Sequence, residues 1–266
     1  MRKWFVFLAP AAALLLLAGC ATMGGMDDAG GMKTTDDMEK MDETAAMDSS
    51  MEGMEESAEM EEAMAAAFVV TIEVLDRSVT PIAPVAWAVF DGDNPLFTAG
   101  TTQRIAGLES LAEDGDPSGV ARALAGSMDV AESGVAAVPE GLMDPGPAAP
   151  GKAYSFEFSA HEGQRLSFAS MYVQSNDLFF APAGEGLELF EMGKPVSGDL
   201  TSRIYLYDAG TEVNEKPGAG AHQAPRQMGP NSGEDEMAVV RPVAEVADGF
   251  VYPAVDAVIR VTVSAM

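Results

Sequence analysis

Between residues 21 and 66 the chain contains no isoleucine, leucine, valine or aromatic residue, so any core must be built by the residues that follow. Those 46 residues hold ten methionines, 14 acids and two lysines, Lys33 and Lys40, for a segment charge of −12. A stretch this charged and this poor in β-branched and aromatic side chains cannot bury enough apolar surface to offset its chain entropy. Residues 20–66 are therefore expected to be a disordered tether, with at most a nascent helix over 49–66. Its own charge should hold it extended.

The methionines of this tether come partly in pairs three apart: Met23 and Met26, Met38 and Met41, Met51 and Met54. Thioether sulfurs are soft ligands suited to Cu(I), and periplasmic copper carriers use similar spacing. The plainer reading is a low-complexity spacer, because no cysteine or histidine joins the sulfurs and the surrounding carboxylates are hard ligands.

Ahead of the tether lies a targeting segment. Arg2 and Lys3 precede an apolar run from Trp4 to Ala18, which closes on Leu17-Ala18-Gly19-Cys20. The run is short for a membrane span, which needs about 20 residues, and has the layout of a secretory signal. Its closure resembles the lipobox of bacterial lipoproteins, which implies cleavage after residue 19 and acylation of Cys20. An ordinary signal with a chance cysteine is the alternative. Cys20 is the single cysteine of the chain, and a secreted fold without disulfides has no other evident use for it. Ala21 stands where a retention signal would place Asp, so the expected location is the outer membrane of a Gram-negative cell envelope, with the chain held by its lipid.

Charge and composition exclude several functions. Acids outnumber Lys and Arg by 42 to 15, a net charge of −27. That opposes nucleic-acid binding, which needs a basic footprint, and electrostatic adsorption to anionic lipid. Only two histidines are present, His161 and His222, both in turn or loop sequence. Zinc sites and His-based acid–base catalysis are thereby disfavoured, and no Gly-x-Ser-x-Gly elbow occurs. Oxygen-ligand cations such as calcium remain open.

From residue 67 alternating apolar and polar runs begin, divided by Gly and Pro. Phe68, Val70, Ile72 and Val74 form one face of a first strand. Tyr154, Phe156 and Phe158 alternate with Ser155, Glu157 and Ser159 in another. Further strands are expected over 84–90, 166–173, 187–190, 203–207 and 257–263, and helices over 102–112 and 119–127 alone. The fold class is all-β, an antiparallel β-sandwich over 67–266 with one or two short helices. Residues 214–236, rich in Gly and Pro, should be a long surface loop.

Four segments in order, with residues 69–73 before them, carry a resemblance. They are Leu166-Ser-Phe-Ala-Ser-Met171, Ser175-Asn-Asp-Leu-Phe-Phe180, Tyr207-Asp-Ala-Gly-Thr-Glu-Val-Asn214 and Ile259-Arg-Val-Thr-Val263. Together they resemble the spondin domain of animal matrix proteins and bacterial envelope proteins, over roughly residues 67–266. The resemblance implies a β-sandwich related to calcium-dependent membrane-binding domains. Carried over by motif, it implies calcium ligands at Asp177, Asp208 and Glu212, the last a Glu where the animal motif has Asp.

The residues themselves leave two readings. Three acids near turns, each after an apolar strand, supply hard oxygen ligands, and Gly210 lets the chain curl so that carbonyls can join them. Alternatively, Asp177 and Asp208 close Asx turns on their own backbone. Of the other acid clusters, Asp91-Gly92-Asp93-Asn94 is explained more simply by hairpin chemistry. Asp114-Gly115-Asp116 reads as an interhelical turn, and Glu234-Asp235-Glu236 as solvated loop charge.

The leading functional expectation is a non-catalytic envelope module that binds an extracellular or envelope protein or glycan, with calcium ordering its loops. A periplasmic copper buffer built on the methionines is the second reading. A glycan-processing enzyme using paired carboxylates is the third.

Overall fold

A computed structural model describes residues 65–266 of the protein. The leader, Cys20 and the tether methionines lie outside the described residues.

The chain enters at β1 (Ala66–Val74) and crosses to β2 (Val85–Phe90). Two short helices follow, α1 (Leu108–Asp114) and α2 (Ser118–Leu124), and then β3 (Val130–Ala136), β4 (Ala153–Ala160), β5 (Arg165–Met171) and β6 (Leu178–Pro182). Four two-residue strands come next: β7 (Leu187–Glu188), β8 (Phe190–Glu191), β9 (Lys194–Pro195) and β10 (Gly198–Asp199). The last elements are β11 (Ile204–Asp208), β12 (Arg241–Pro242), the single-turn α3 (Val255–Val258) and β13 (Ile259–Ala265).

Two main antiparallel sheets result. One has the order β10-β13-β1-β4 and the other β12-β11-β6-β5-β2-β3, with β7 beside β5. The alternation of β1 places Phe68, Val70, Ile72 and Val74 inward, where they meet Val85, Val89, Leu166, Phe180 and Leu206 of the facing sheet. Trp87 of β2 stacks on Phe156 of β4 at 5.0 Å between ring centroids, an offset contact that ties the layers together beyond its area burial. The expected all-β sandwich is the fold observed.

All six residues of β2 are buried, because α1 and α2 cover the outer face of the larger sheet. Small side chains make room for them: Ala86, Ala88 and Ala169 pack against Leu108, Leu111, Val120 and Leu124. This second core explains why β2 reads as a continuous apolar run and not as an alternation.

Three expectations need revision. The first helix begins at Leu108 and not near 102, because Thr98 N–H bonds the Gln103 carbonyl at 3.0 Å and the left-handed Gly107 (φ 91°) stands before it. Strands β3 and β6 lie outside the runs expected to be strands, and α3 with β13 divides a run expected to be strand throughout. Residues 214–236 do form a long connection without strands or helices. It is anchored, however: Gln223 is fully buried and donates through Nε2 to the Lys216 carbonyl at 2.9 Å. Among the described residues no helix is long and apolar enough to cross a membrane.

Candidate metal centre

Strand register brings two distant aspartates together. In the β6–β11 ladder Asp208 lies opposite Leu178, the residue after Asp177, and the Ala209 N–H continues the pairing onto the Asp177 carbonyl at 3.2 Å. On the other side of β11, Asp208 faces Arg241 of β12. Ser175 fixes the turn into β6 by donating its hydroxyl to the Tyr172 carbonyl at 2.5 Å and accepting the Leu178 N–H at 3.1 Å.

The chain leaving β11 then pairs with the end of the long connection. Val213 N–H bonds the Glu234 carbonyl, Glu236 N–H the Thr211 carbonyl and Ala238 N–H the Gly210 carbonyl, each at 2.8 Å. This return delivers Glu236 to the aspartates. Gly210 is required for it twice over. Its φ is +66°, and a Cβ there would lie 2.7 Å from the backbone of Ala238, closer than real Cβ atoms approach anything.

Asp177, Asp208 and Glu236 each turn a carboxylate oxygen into a group whose atoms all lie within 4.8 Å of one another. Asp177 and Asp208 are fully buried. Asp177 Oδ2 accepts Thr211 N–H at 2.8 Å, Thr211 Oγ1–H at 3.2 Å and Glu212 N–H at 3.2 Å. Its other oxygen, Oδ1, is buried with no hydrogen-bond partner, and so is Glu236 Oε2. Buried polar atoms are almost always satisfied, so two orphaned carboxylate oxygens in one cluster call for something to hold.

Asp208 is better provided for. Its Oδ1 accepts the Gly210 N–H at 2.6 Å, the Asx-turn geometry, while Oδ2 accepts Asn214 Nδ2–H at 2.9 Å and Arg241 Nη2–H at 3.1 Å. The Asx-turn reading therefore describes Asp208. Asp177 bonds instead to the backbone of the neighbouring turn. The two readings of Asp208 are compatible, since an Asx-turn carboxylate can still face an ion.

Glu212 is placed differently from the other two motif acids. It is buried, but its carboxylate accepts the Gly233 N–H at 2.7 Å and the Asn176 side-chain amide at 3.2 Å. It lies beside the cluster, and the third converging carboxylate belongs to Glu236. The Glu234-Asp235-Glu236 run is therefore not uniformly solvated: Glu236 is half-buried and 2.6 Å from Arg241.

Electrostatics set the state of these groups. Burial, and then the charge of Asp208, raise the affinity of Asp177 for its proton well above the carboxylate range, and three donated hydrogen bonds only partly offset this. Burial works against the charge of Arg241, but Glu236 and Asp208 outweigh it and strengthen its hold on the proton. A second acid stands nearby. Glu113, brought in by α1, is 2% exposed and has one orphaned oxygen. Burial, opposed by a bond to Thr211 and reinforced by Glu212, Glu109 and Asp114, pushes it up to about 7.

The remaining sequence candidates lie elsewhere. The Asp91–Asn94 turn follows the end of β2 opposite Arg165, at the far end of the sheet from Asp177. There Asn94 Oδ1 accepts the Leu96 N–H at 3.0 Å and Asp91 accepts Gln164 Nε2–H at 3.0 Å. Asp116 accepts the Ser118 N–H at 2.9 Å between the helices, as expected of an interhelical turn. His161 lies in the turn from β4 to β5, and His222 Nδ1 is 3.3 Å from Glu215.

Sequence reasoning missed Glu236, Arg241 and Glu113. The first two are joined to Asp208 by pairing across the long connection, which leaves no periodic signal. Glu113 was detectable only as an acid next to the apolar positions Leu108, Leu111 and Ala112.

The cluster is all-oxygen, partly neutralised by one guanidinium, and placed on irregular backbone at one sheet end. Such a donor set suits a hard divalent cation. No protein-family model matches this chain, and no curated protein matches it.

Proposed function

We propose that the chain is a non-catalytic binding module of the cell envelope, lipid-anchored at Cys20, whose spondin-like sandwich holds one calcium ion at the end of β6 and β11. The observation that carries the metal reading is the fully buried, unpartnered Asp177 Oδ1 inside a three-carboxylate cluster. Calcium–oxygen distances of about 2.3–2.6 Å put ligands on opposite sides of the ion roughly 5 Å apart. Carboxylate oxygens that all lie within 4.8 Å of one another are within reach of one such sphere. Asp177, Asp208 and Glu236 are the proposed ligands, with Glu212 holding the turn through Gly233 and Asn176.

An ion there would relieve the repulsion of Asp208 on Asp177, replace the proton of Asp177 and fix the 208–214 turn against the 234–241 return. Ordered turns at one end of a rigid sandwich form a surface for an envelope protein or glycan. The lipid anchor rests on the Leu-Ala-Gly-Cys closure and the outer membrane on Ala21 in place of a retention Asp, and a Cys20→Ala variant should lose the membrane fraction.

The test of the metal reading is a melting titration. Binding to the folded state alone stabilises by about 2.7 kcal/mol at a hundredfold excess over the dissociation constant. Calcium should therefore raise the melting temperature of the wild type and a chelator lower it, while Asp208→Asn should lose most of the response. Asn serves an Asx turn nearly as well as Asp, so equal shifts in both proteins, or none in either, would reject the site.

A further inference from the structure

The methionines of the sandwich are distributed in a way that hydrophobicity does not explain. Seven lie among the described residues. Met171 is fully buried, whereas Met128, Met143, Met192, Met228, Met237 and Met266 are between 69% exposed and fully exposed. Leucine and isoleucine, of similar size and apolarity, behave in the opposite way. Among the exposed large hydrophobics of the described residues Leu142 is the one leucine, and there is no isoleucine. Methionine ordinarily belongs with them in the interior. Five valines are exposed as well, Val79 and Val251 strongly so, but methionine is exposed at six of its seven described positions.

Backbone geometry adds an independent observation. Among the described residues three that are not glycine have positive φ, and two of them are Met192 (φ 51°) and Met237 (φ 57°). The left-handed region crowds the Cβ of any L side chain and favours Gly or Asn. Methionine therefore occupies two left-handed positions, one in the turn between β8 and β9 and one in the return segment beside Gly210, against conformational preference and with its side chain exposed. None of the six exposed methionines belongs to a core cluster, so none is held in place by packing. The sequence carries ten more between residues 21 and 66 and no cysteine after Cys20, so thioethers are the oxidisable sulfurs of the sandwich.

We propose that the six exposed methionines form a renewable oxidant-scavenging surface, whose substrates are small hydroperoxides and hypohalous acids. In the peroxide reaction a sulfur lone pair attacks one peroxide oxygen and the O–O bond breaks. An S–O bond forms, and the departing oxygen leaves, after proton transfer, as water from hydrogen peroxide or as an alcohol from an organic hydroperoxide. With a hypohalous acid the sulfur first takes the halogen as a halosulfonium while hydroxide leaves, and water then forms the S–O bond as halide and two protons depart. Sulfur is oxidised by two electrons to the sulfoxide and the peroxide is reduced. A methionine sulfoxide reductase returns the thioether, two thiols being oxidised to a disulfide while the oxygen leaves as water. The fold tolerates this cycle because the sulfoxide, which disrupts apolar cores, forms only where no core contact exists. Met171 beneath the surface is shielded.

The experiment treats the purified full chain with graded hydrogen peroxide and maps, peptide by peptide, the gain of one oxygen atom alongside the melting temperature. The expected result is oxidation at all six positions at rates within about threefold of free N-acetylmethionine, with Met171 unmodified while the protein is folded. The melting temperature should move by less than about 2 °C, and reductase treatment should restore the original mass. A variant with all six methionines replaced by glutamine should keep the wild-type melting temperature and lose oxidant consumption by the sandwich. Oxidation of Met171 in step with the others would overturn the proposal. So would rates more than about tenfold below the free amino acid, loss of the fold as the six are oxidised, or unchanged consumption in the glutamine variant.

Discussion

Replacing Glu113 by glutamine should stabilise the protein, and by an amount that depends on pH in a defined direction. Glu113 is enclosed between α1 and the 211–212 turn, and burial raises its pKa from 4.5 to about 7. A carboxyl with a raised folded-state value keeps its proton in the native state while the unfolded chain has already released it. The native state then binds more protons, and stability falls as pH climbs from about 4.5 through about 7. At 1.36 kcal/mol per pH unit, the whole shift is worth about 3 kcal/mol once pH exceeds 7, and about 1 kcal/mol of it has developed at pH 5. Glutamine carries no charge, stays close in size and can still hydrogen-bond Thr211. The Glu113→Gln variant should therefore gain about 1 kcal/mol over the wild type at pH 5 and about 3 kcal/mol at pH 8. Urea unfolding of both proteins in chelator at the two pH values measures this. A difference that is the same at both pH values, or a variant less stable at pH 8, would refute the argument from burial.

Two further outcomes follow from the same region. Gly210→Ala forces a Cβ into the Ala238 backbone at positive φ, and should cost at least about 1–2 kcal/mol in thermal or urea unfolding. Calcium affinity should rise with pH, because the ion must displace the proton that burial and Asp208 hold on Asp177. Titrations at pH 6 and 8 in two buffers of different ionisation heat would reveal both the change and the released proton.

The sequence was legible where its pattern was local. The alternation in β1 and β4 and the continuous run of β2 are two-residue and single-run signals, and each became a strand of the expected sheet. Strand β3, Val-Ala-Glu-Ser-Gly-Val-Ala, gave no such signal. It is a sheet edge whose Gly134 clears space for the Trp87 ring, so its residues were selected by a neighbour 47 positions earlier. At the candidate site, Asp177 and Asp208 stood out because turn chemistry marks them, and the β6–β11 register does bring them together. Glu212 shared their motif, but its carboxylate completes a local turn. Glu236 and Arg241 reach the aspartates only after the chain has returned through a long connection. Nothing short of the pairing at Asp208 and Arg241 distinguishes that acid and that base from the other charges of the loop.

The most direct test of the metal reading is a calorimetric calcium titration of the metal-free wild type, Glu236→Gln and Glu212→Gln. One ion should bind per chain, with an affinity lowered at least about tenfold by Glu236→Gln and changed less than about threefold by Glu212→Gln. The absence of saturable binding to the wild type, or an affinity that depends on Glu212 and not on Glu236, would contradict that reading.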